Sequence, residues 1–293
     1  MAPPKLSSVA VVTVTYNSST IIADFLTSVK VSEIKPPLVY VVDNDSADWR
    51  ETGAVAEALG AIFLRLDENR GYGGGMNAAI AALSSEIDYV LITNPDLTIG
   101  QSTIRLLLEA FADTPRCAAA GPRIVNPDGS VYPSARNQPS LRTGLGHALF
   151  SGVWPGNPWS RIYRQELPSL EPSQRAVGWL SGACLLVDRA AFVDVGGFDE
   201  TFFMYFEDVD LGRRFLDNGY ANLYVPGATI MHLGAHSTRT ASVRMIAAHH
   251  KSAYLFLSRR YAGAAHAPLR LALRAALRVR AWWLTHHPSR DAS

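Results

Sequence analysis

With 293 residues, 48% of them apolar and 18% charged, the chain has the composition of a globular protein with a substantial core, which excludes a disordered or low-complexity polypeptide. The net charge of +1 conceals an asymmetry: from Arg244 onward there are nine Lys or Arg and one acid, Asp291, leaving 18 basic against 25 acidic residues in the rest. An acidic body with a basic tail argues against nucleic acid as a partner and for an anionic partner at one end.

In chain order, VAVVTVT, LVYVVD, AIFLRL and YVLIT are short β-branched runs of the kind that form buried parallel strands. Helical patterns alternate with them: Ile21, Ile22, Phe25, Leu26 and Val29, then AVAEALG, then GMNAAIAALSS, a helix expected to begin after Gly75. The alternation predicts an α/β fold with an open, predominantly parallel sheet. Such sheets bind ligands beyond the carboxyl ends of their strands. Four polar loops therefore meet on one rim: TYNSS (15–19), DNDSAD (43–48), DENRGYGGGMN (67–77) and TNPDL (93–97). Gly73, Gly75 and Ala78 also fit the dinucleotide pattern G-x-G-x-x-A, a weak match because it follows the third strand and not the first.

From about 122 to 175 the periodicity gives way to prolines, aromatics and arginines, which suggests an ordered, irregular binding segment. Arg136, Arg161 and Arg164 there are candidates for a diphosphate, because guanidinium pairs bidentately with phosphate. Regular structure resumes at VGWLSGACLLVDRAAFVDVGGFDE, and TFFMYFEDVDL then sets four aromatics before Glu207, Asp208 and Asp210. The residues alone leave two readings open. One is a surface helix, with Leu211, Phe215 and Leu216 apolar, Gly219 as its stop and acids suited to the dipole. The other is a catalytic carboxylate in an aromatic setting.

Neither the first apolar run, too short for a signal peptide, nor any other approaches the roughly 18 residues of a membrane span. Cys117 and Cys184 sit in apolar runs without metal or redox spacing and are expected buried and reduced, in keeping with a cytoplasmic protein.

Taken together, VTYNSS, VVDNDSAD, NRGYGGGMN, TNPDL, VGGFDETFFMYFEDVDL and HLGAHS resemble the inverting family 2 glycosyltransferases of GT-A fold, over about residues 8–240. Within them, PDGSVYPSAR, VGWLSGACLLV, FMYFEDVDLG and AHHKS are similar to the rhamnosyltransferases of mycobacterial-type cell-wall linker synthesis. The resemblance implies a dTDP-L-rhamnose donor, an N-acetylglucosaminyl-diphospho-decaprenol acceptor and transfer with inversion. It further implies that Asp43 meets the nucleotide, with Thr15, Tyr16 and Asn17 lining its pocket. Asn69, Arg70, Gly71, Gly75 and Asn77 would lie about the diphosphate, where a glycine lets backbone approach closely and a helix N-terminus favours anions. TNPDL stands where the family carries Asp-x-Asp, so Asn94 and Asp96 leave one carboxylate for Mg²⁺ or Mn²⁺, with His232 as a second ligand and His236 a weaker candidate. That thinned element also leaves open a non-catalytic nucleotide-sugar-binding protein, or a family member with another donor or acceptor. Trp179, Ser181 and Gly182 would lie beneath the sugar or acceptor ring. Asp208 would be the base, Glu207 the other candidate, while Asp210 belongs to the helix.

The tail, 241–293, repeats Arg270, Arg274 and Arg278 at helical spacing, with Arg280, Trp282 and Trp283 following and leucines between. It reads as a helix lying in an anionic membrane interface, which would hold the protein peripherally at the inner face of the plasma membrane. A helix packed on the catalytic domain 1–240, or a contact in a homo-oligomer, is the competing reading.

Overall fold

The computed structural model describes residues 5–138, 173–234 and 243–286. The expected division near residue 240, Arg161, Arg164 and His236 lie outside the described residues, as do the side chains of Trp283 and Leu284.

Four parallel strands open the chain: β1 (Val9–Thr15), β2 (Leu38–Asp43), β3 (Ile62–Arg65) and β4 (Tyr89–Thr93), side by side in the order β3-β2-β1-β4. Helices α1 (Ile22–Ser32), α2 (Trp49–Ala58) and α3 (Gly71–Ala81) make the crossovers. β5 (Leu97–Ile99), α4 (Thr103–Asp113), β6 (Cys117–Val125), β7 (Val131–Tyr132) and β8 (Ala135–Arg136) follow. Beyond the middle segment come β9 (Arg175–Val177), β10 (Trp179–Leu180), β11 (Cys184–Asp188), α5 (Arg189–Asp194), α6 (Glu207–Asp217) and β12 (Ala221–His232). β11 enters antiparallel between β4 and β6, and β12 continues the sheet parallel to β6 and antiparallel to β5. The sheet is thus mixed, as a GT-A-type fold requires.

β1 is buried along its whole length because both faces of the sheet are covered. Val9 and Val11 pack with Phe25, Leu26, Ile104 and Leu107 of α1 and α4. Ala10, Val12 and Val14 point the other way, to Met76 and Ile80 of α3 and Leu211 and Phe215 of α6. That two-residue alternation puts every side chain of a β-branched run in one core or the other. Leu216 is part-exposed, unlike Leu211 and Phe215, so the inner face of α6 is narrower than expected.

Two tail helices, α7 (Val243–Arg260) and α8 (Ala267–His286), complete the chain. Phe256 of α7 packs with Phe202 and Val209, and Leu273 of α8 is buried. No helix among the described residues is long and apolar enough to cross a membrane.

Candidate active site

The carboxyl ends of β1 to β3 are in register, Thr15 opposite Asp43 and Asp43 opposite Arg65. Thr15 and Asp43 are fully buried at this edge. The Asp43 carboxylate accepts the Ser46 N–H at 2.9 Å, with the Thr15 hydroxyl 3.5 Å away. Asn17 is left-handed (φ 53°); its side-chain oxygen accepts the Ala47 N–H at 3.0 Å and its own N–H donates to Ser46 Oγ at 3.0 Å. The loops after β1 and β2 are therefore knitted together, with Tyr16 exposed at the mouth.

Asn44, which the sequence reading did not single out, pins the next loop. Its amide donates to Asn69 Oδ1 and to the Gly71 carbonyl and accepts the Arg70 N–H, each at 3.0 Å. α3 begins at Gly71, five residues earlier than expected. Its Gly71 N–H is taken by Asn69 Oδ1 (3.0 Å) and its Tyr72 N–H by the Phe203 carbonyl (3.1 Å), so protein satisfies two of the donors a helix start leaves open. The glycines serve packing. A Cβ on Gly71 (φ 72°) would collide with the Phe203 carbonyl, and one on Gly75 would meet Val14 at 3.0 Å. Arg70 pairs with Glu200 at 2.8 Å, and Asn77 donates to Glu200 (3.1 Å) and exchanges hydrogen bonds with the Phe198 backbone (2.8 and 2.9 Å). This glycine-rich segment is the seat of the 198–206 chain.

On the far side of β1, the pairing of β5 with β12 sets Leu97 opposite His232 and brings His232 Nε2 to 3.1 Å from Asp96 Oδ1. Asp96 is nearly buried, and Tyr132 stands edge-on to the imidazole at 6.2 Å. Among the described residues no third His, Cys, Asp or Glu joins the pair in a metal-holding group. One carboxylate oxygen and one imidazole nitrogen nevertheless make a donor set that fits a divalent cation sharing its remaining positions with phosphate oxygens and water.

A tight turn at 181–184 links the two sides. Its Ala183 carbonyl accepts the Asn94 N–H at 2.9 Å, and its Gly182 N–H donates to Asp208 Oδ2 at 2.9 Å. Ser181 anchors the turn, its N–H donating to the Ser134 carbonyl at 2.7 Å and its Oγ accepting from Ala183. Tyr72 donates to the Gly182 carbonyl at 2.5 Å. Burial, then the charges of Glu207, Asp208 and, more weakly, Asp96, hold that phenol well above its ordinary range. The turn thus ties the loop that carries Asp96 to the head of α6, through Ala183 on one side and Gly182 on the other. Trp179 walls this region, opposite Arg136 in the β10–β8 pair, with the guanidinium 5.4 Å over its indole and its Nε1 donating to the Asn137 carbonyl at 3.1 Å.

Glu207 and Asp208 open α6. Asp208 accepts two backbone N–H groups, Gly182 on Oδ2 and Val209 on Oδ1 (2.8 Å), while Glu207 is 7% exposed and its Oε2 has no hydrogen-bond partner. Burial raises both acids; Asp208's charge raises Glu207 further, whereas the two N–H groups and the nearby Arg136 oppose the rise at Asp208. Both carboxyls are therefore pushed above their ordinary range, with two N–H donors offsetting the burial of Asp208 and none on the free oxygen of Glu207. Asp210 instead pairs with Arg214 at 2.7 Å one turn on, as a helix residue.

Residues 10–172 match the family model described as glycosyl transferase family 2. The N-acetylglucosaminyl-diphospho-decaprenol L-rhamnosyltransferase of Mycobacterium tuberculosis is 46% identical over 92% of this chain and 90% of its own length. Rhamnosyltransferase WbbL of Escherichia coli is 27% identical over 65% of this chain and 71% of its own. Among solved structures, a Pyrobaculum calidifontis mannosyltransferase in complex with GDP-Man and Mn²⁺ shares the fold, with a TM-score of 0.58 at 15% identity over 99% of this chain and 78% of that one. On this match and this identity, the chain belongs to glycosyl transferase family 2.

Proposed function

We propose that this chain transfers L-rhamnose from dTDP-L-rhamnose to N-acetylglucosaminyl-diphospho-decaprenol, with inversion, in a single displacement. The observation that carries the donor sugar and acceptor is the 46% identity, spread over nine-tenths of both chains, to the Mycobacterium tuberculosis rhamnosyltransferase. The chemistry is supported by the two-sided site built on the 181–184 turn.

Asp208 takes the proton of the acceptor hydroxyl as that oxygen forms its bond to the anomeric carbon and the bond to the donor's phosphate oxygen breaks. An ionised carboxylate suffices, because the hydroxyl becomes acidic only as its new bond forms. Gly182 and Val209 fix both Asp208 oxygens, and Glu207 keeps a proton that prevents a second charge beside the base. Asp96 and His232 would hold Mg²⁺ or Mn²⁺, which as a Lewis acid steadies the diphosphate that departs. Thr15, Tyr16, Asn17 and Asp43 line the nucleotide end. Arg70 and Asn77 act one step back, by holding the 198–200 backbone. A polyprenyl-linked acceptor sets the reaction at a membrane surface, against which α8 docks.

Incubation with dTDP-L-rhamnose, a short-chain GlcNAc-diphospho-prenol and either cation is expected to yield the rhamnosyl disaccharide, and chelation to stop it. Absence of that product with both cations overturns this reading, and product from another nucleotide-sugar reassigns the donor.

A further inference from the structure

The segment that delivers Glu207 and Asp208 does not hold its own shape. Tyr205 and Phe206 are consecutive left-handed residues (φ 67° and 69°), a conformation that neither side chain favours. Phe206 is the N-cap of α6 and has no side-chain bond to the helix start, where Ser, Thr, Asp or Asn would ordinarily supply one. Something else must fix the direction in which the two carboxylates enter the site.

Two elements do so. From one side, the start of α3 grips the Phe203 carbonyl through the Tyr72 N–H, with Gly71 making room. From the other, α7 reaches the next three residues in turn. Ser252, 5% exposed, donates its hydroxyl to the Met204 carbonyl at 2.8 Å. The ring of His249, an exposed residue of α7, is T-shaped to the rings of Tyr205 (5.3 Å) and Phe206 (5.6 Å), and Phe256 packs on Phe206 at 5.6 Å. Arg259 closes the row on Asp199 at 2.5 Å and Thr201 at 3.0 Å.

We propose that α7 is a positioning element for the reaction: Ser252 and His249 hold Met204–Phe206 in the left-handed turn that aims Glu207 and Asp208. Neither residue touches the reacting atoms; each acts through the backbone before α6. The proposal rests on the reading of those two carboxylates as the reacting pair.

The test is steady-state kinetics of the full chain in rhamnosyl transfer. Ser252→Ala and His249→Ala are each expected to lower kcat about five- to tenfold, the scale of one lost hydrogen bond or ring contact. Donor KM should stay within about twofold, because the nucleotide end of the site is untouched. His249→Phe, which keeps the ring edges, should restore most of the rate, and Ser252→Thr should outperform Ser252→Ala. Unchanged kcat in both alanine variants overturns the proposal, as does a rate loss matched by donor KM and not rescued by phenylalanine. Should the alanine variants fail to fold, Ser252→Cys and His249→Leu preserve volume while removing the strong donor and the ring, and carry the same expectations. Asp208→Asn is run in parallel: activity retained there overturns the carboxylate reading itself, whereas an inactive Asp208→Asn beside full-rate α7 variants overturns only the positioning role.

Discussion

The backbone treats the two adjacent acids at the head of α6 differently. Asp208 receives two N–H donors and Glu207 leaves an oxygen without one. Removing the base should therefore cost rate and little else: Asp208→Asn is expected to lower kcat about 10²- to 10⁴-fold. Donor affinity measured by calorimetry should stay within about threefold, since Asn keeps one acceptor for the Gly182 N–H. Retained turnover would move the base to Glu207. Stability gives an independent check. The Glu207 pKa is raised on folding, by burial first and Asp208 second. Between the ordinary glutamate range and that raised value the folded chain keeps a proton the unfolded chain has lost, so this residue's contribution to stability declines as pH rises through the window. Glu207→Gln has no proton to lose. Its melting temperature is expected to exceed the parent's above neutrality, by roughly 2–4 °C per kcal/mol, and to converge with it near pH 4. Parallel pH–melting curves for the two proteins would show that Glu207 is not buried as a neutral acid.

At the scale of elements, the glycine-rich start of α3 carries the most information. Its glycines let α3 lie against β1 and against the 198–206 chain. Gly71→Ala combines a disfavoured φ with a methyl driven into the Phe203 carbonyl, and should destabilise the chain by about 2–4 kcal/mol. In chemical denaturation that would appear as a lower midpoint with an unchanged slope; a midpoint equal to the parent's would mean that the 203–206 segment is not tied to α3. The four strands and their polar loops were legible in the sequence because such short apolar runs have no helical period; β1 and β4 are buried throughout as expected, whereas β3, at the sheet edge, stays partly exposed. Asp208 and the thinned TNPDL element were legible as motifs. The start of α3 was misjudged because glycines normally interrupt helices, and here tight packing outweighs their entropic cost. Asn44 and Ser252 went unnoticed for another reason: each holds a backbone carbonyl 27 or 48 residues away, and such a bond imposes no pattern on its neighbours. Tyr72 did leave a signal, a single aromatic among glycines, whose meaning emerged only with Gly182 beside it.

Across the whole molecule, the tail has one packed face and one exposed one. Leu273 is buried and Arg274 lies 5.9 Å over the Tyr254 ring, so α8 packs on α7, its neighbour within the tail. Yet Leu271, Val279 and Trp282 are 70%, 65% and 56% exposed, spaced by eight and three residues along one outward strip, with Arg274 and Arg278 exposed beside it. An apolar strip edged by arginines is the form that settles into an anionic lipid interface. The inner side of the same hairpin reaches the site: Arg280 is close enough to His249 to help depress its imidazole pKa, after burial and His250, and His249 rests on Tyr205 and Phe206. The face proposed to meet the membrane is thus joined, through His249, to the turn that precedes the carboxylates. Removal of residues from Pro268 onward should weaken binding to phosphatidylglycerol vesicles at least tenfold. Because truncation also bares the α7 surface over Leu273, Arg278→Glu provides the cleaner measurement. Reversing that one exposed charge, a change of two units, should cost about thirtyfold on anionic vesicles, at roughly 1 kcal/mol per unit of charge, and much less on phosphatidylcholine. Added salt should narrow the gap between parent and variant, since interactions beyond a Debye length are screened. Equal partitioning of both proteins onto both lipids would make α8 solely a packing helix, and the acceptor would then have to be drawn from the bilayer by the catalytic face alone.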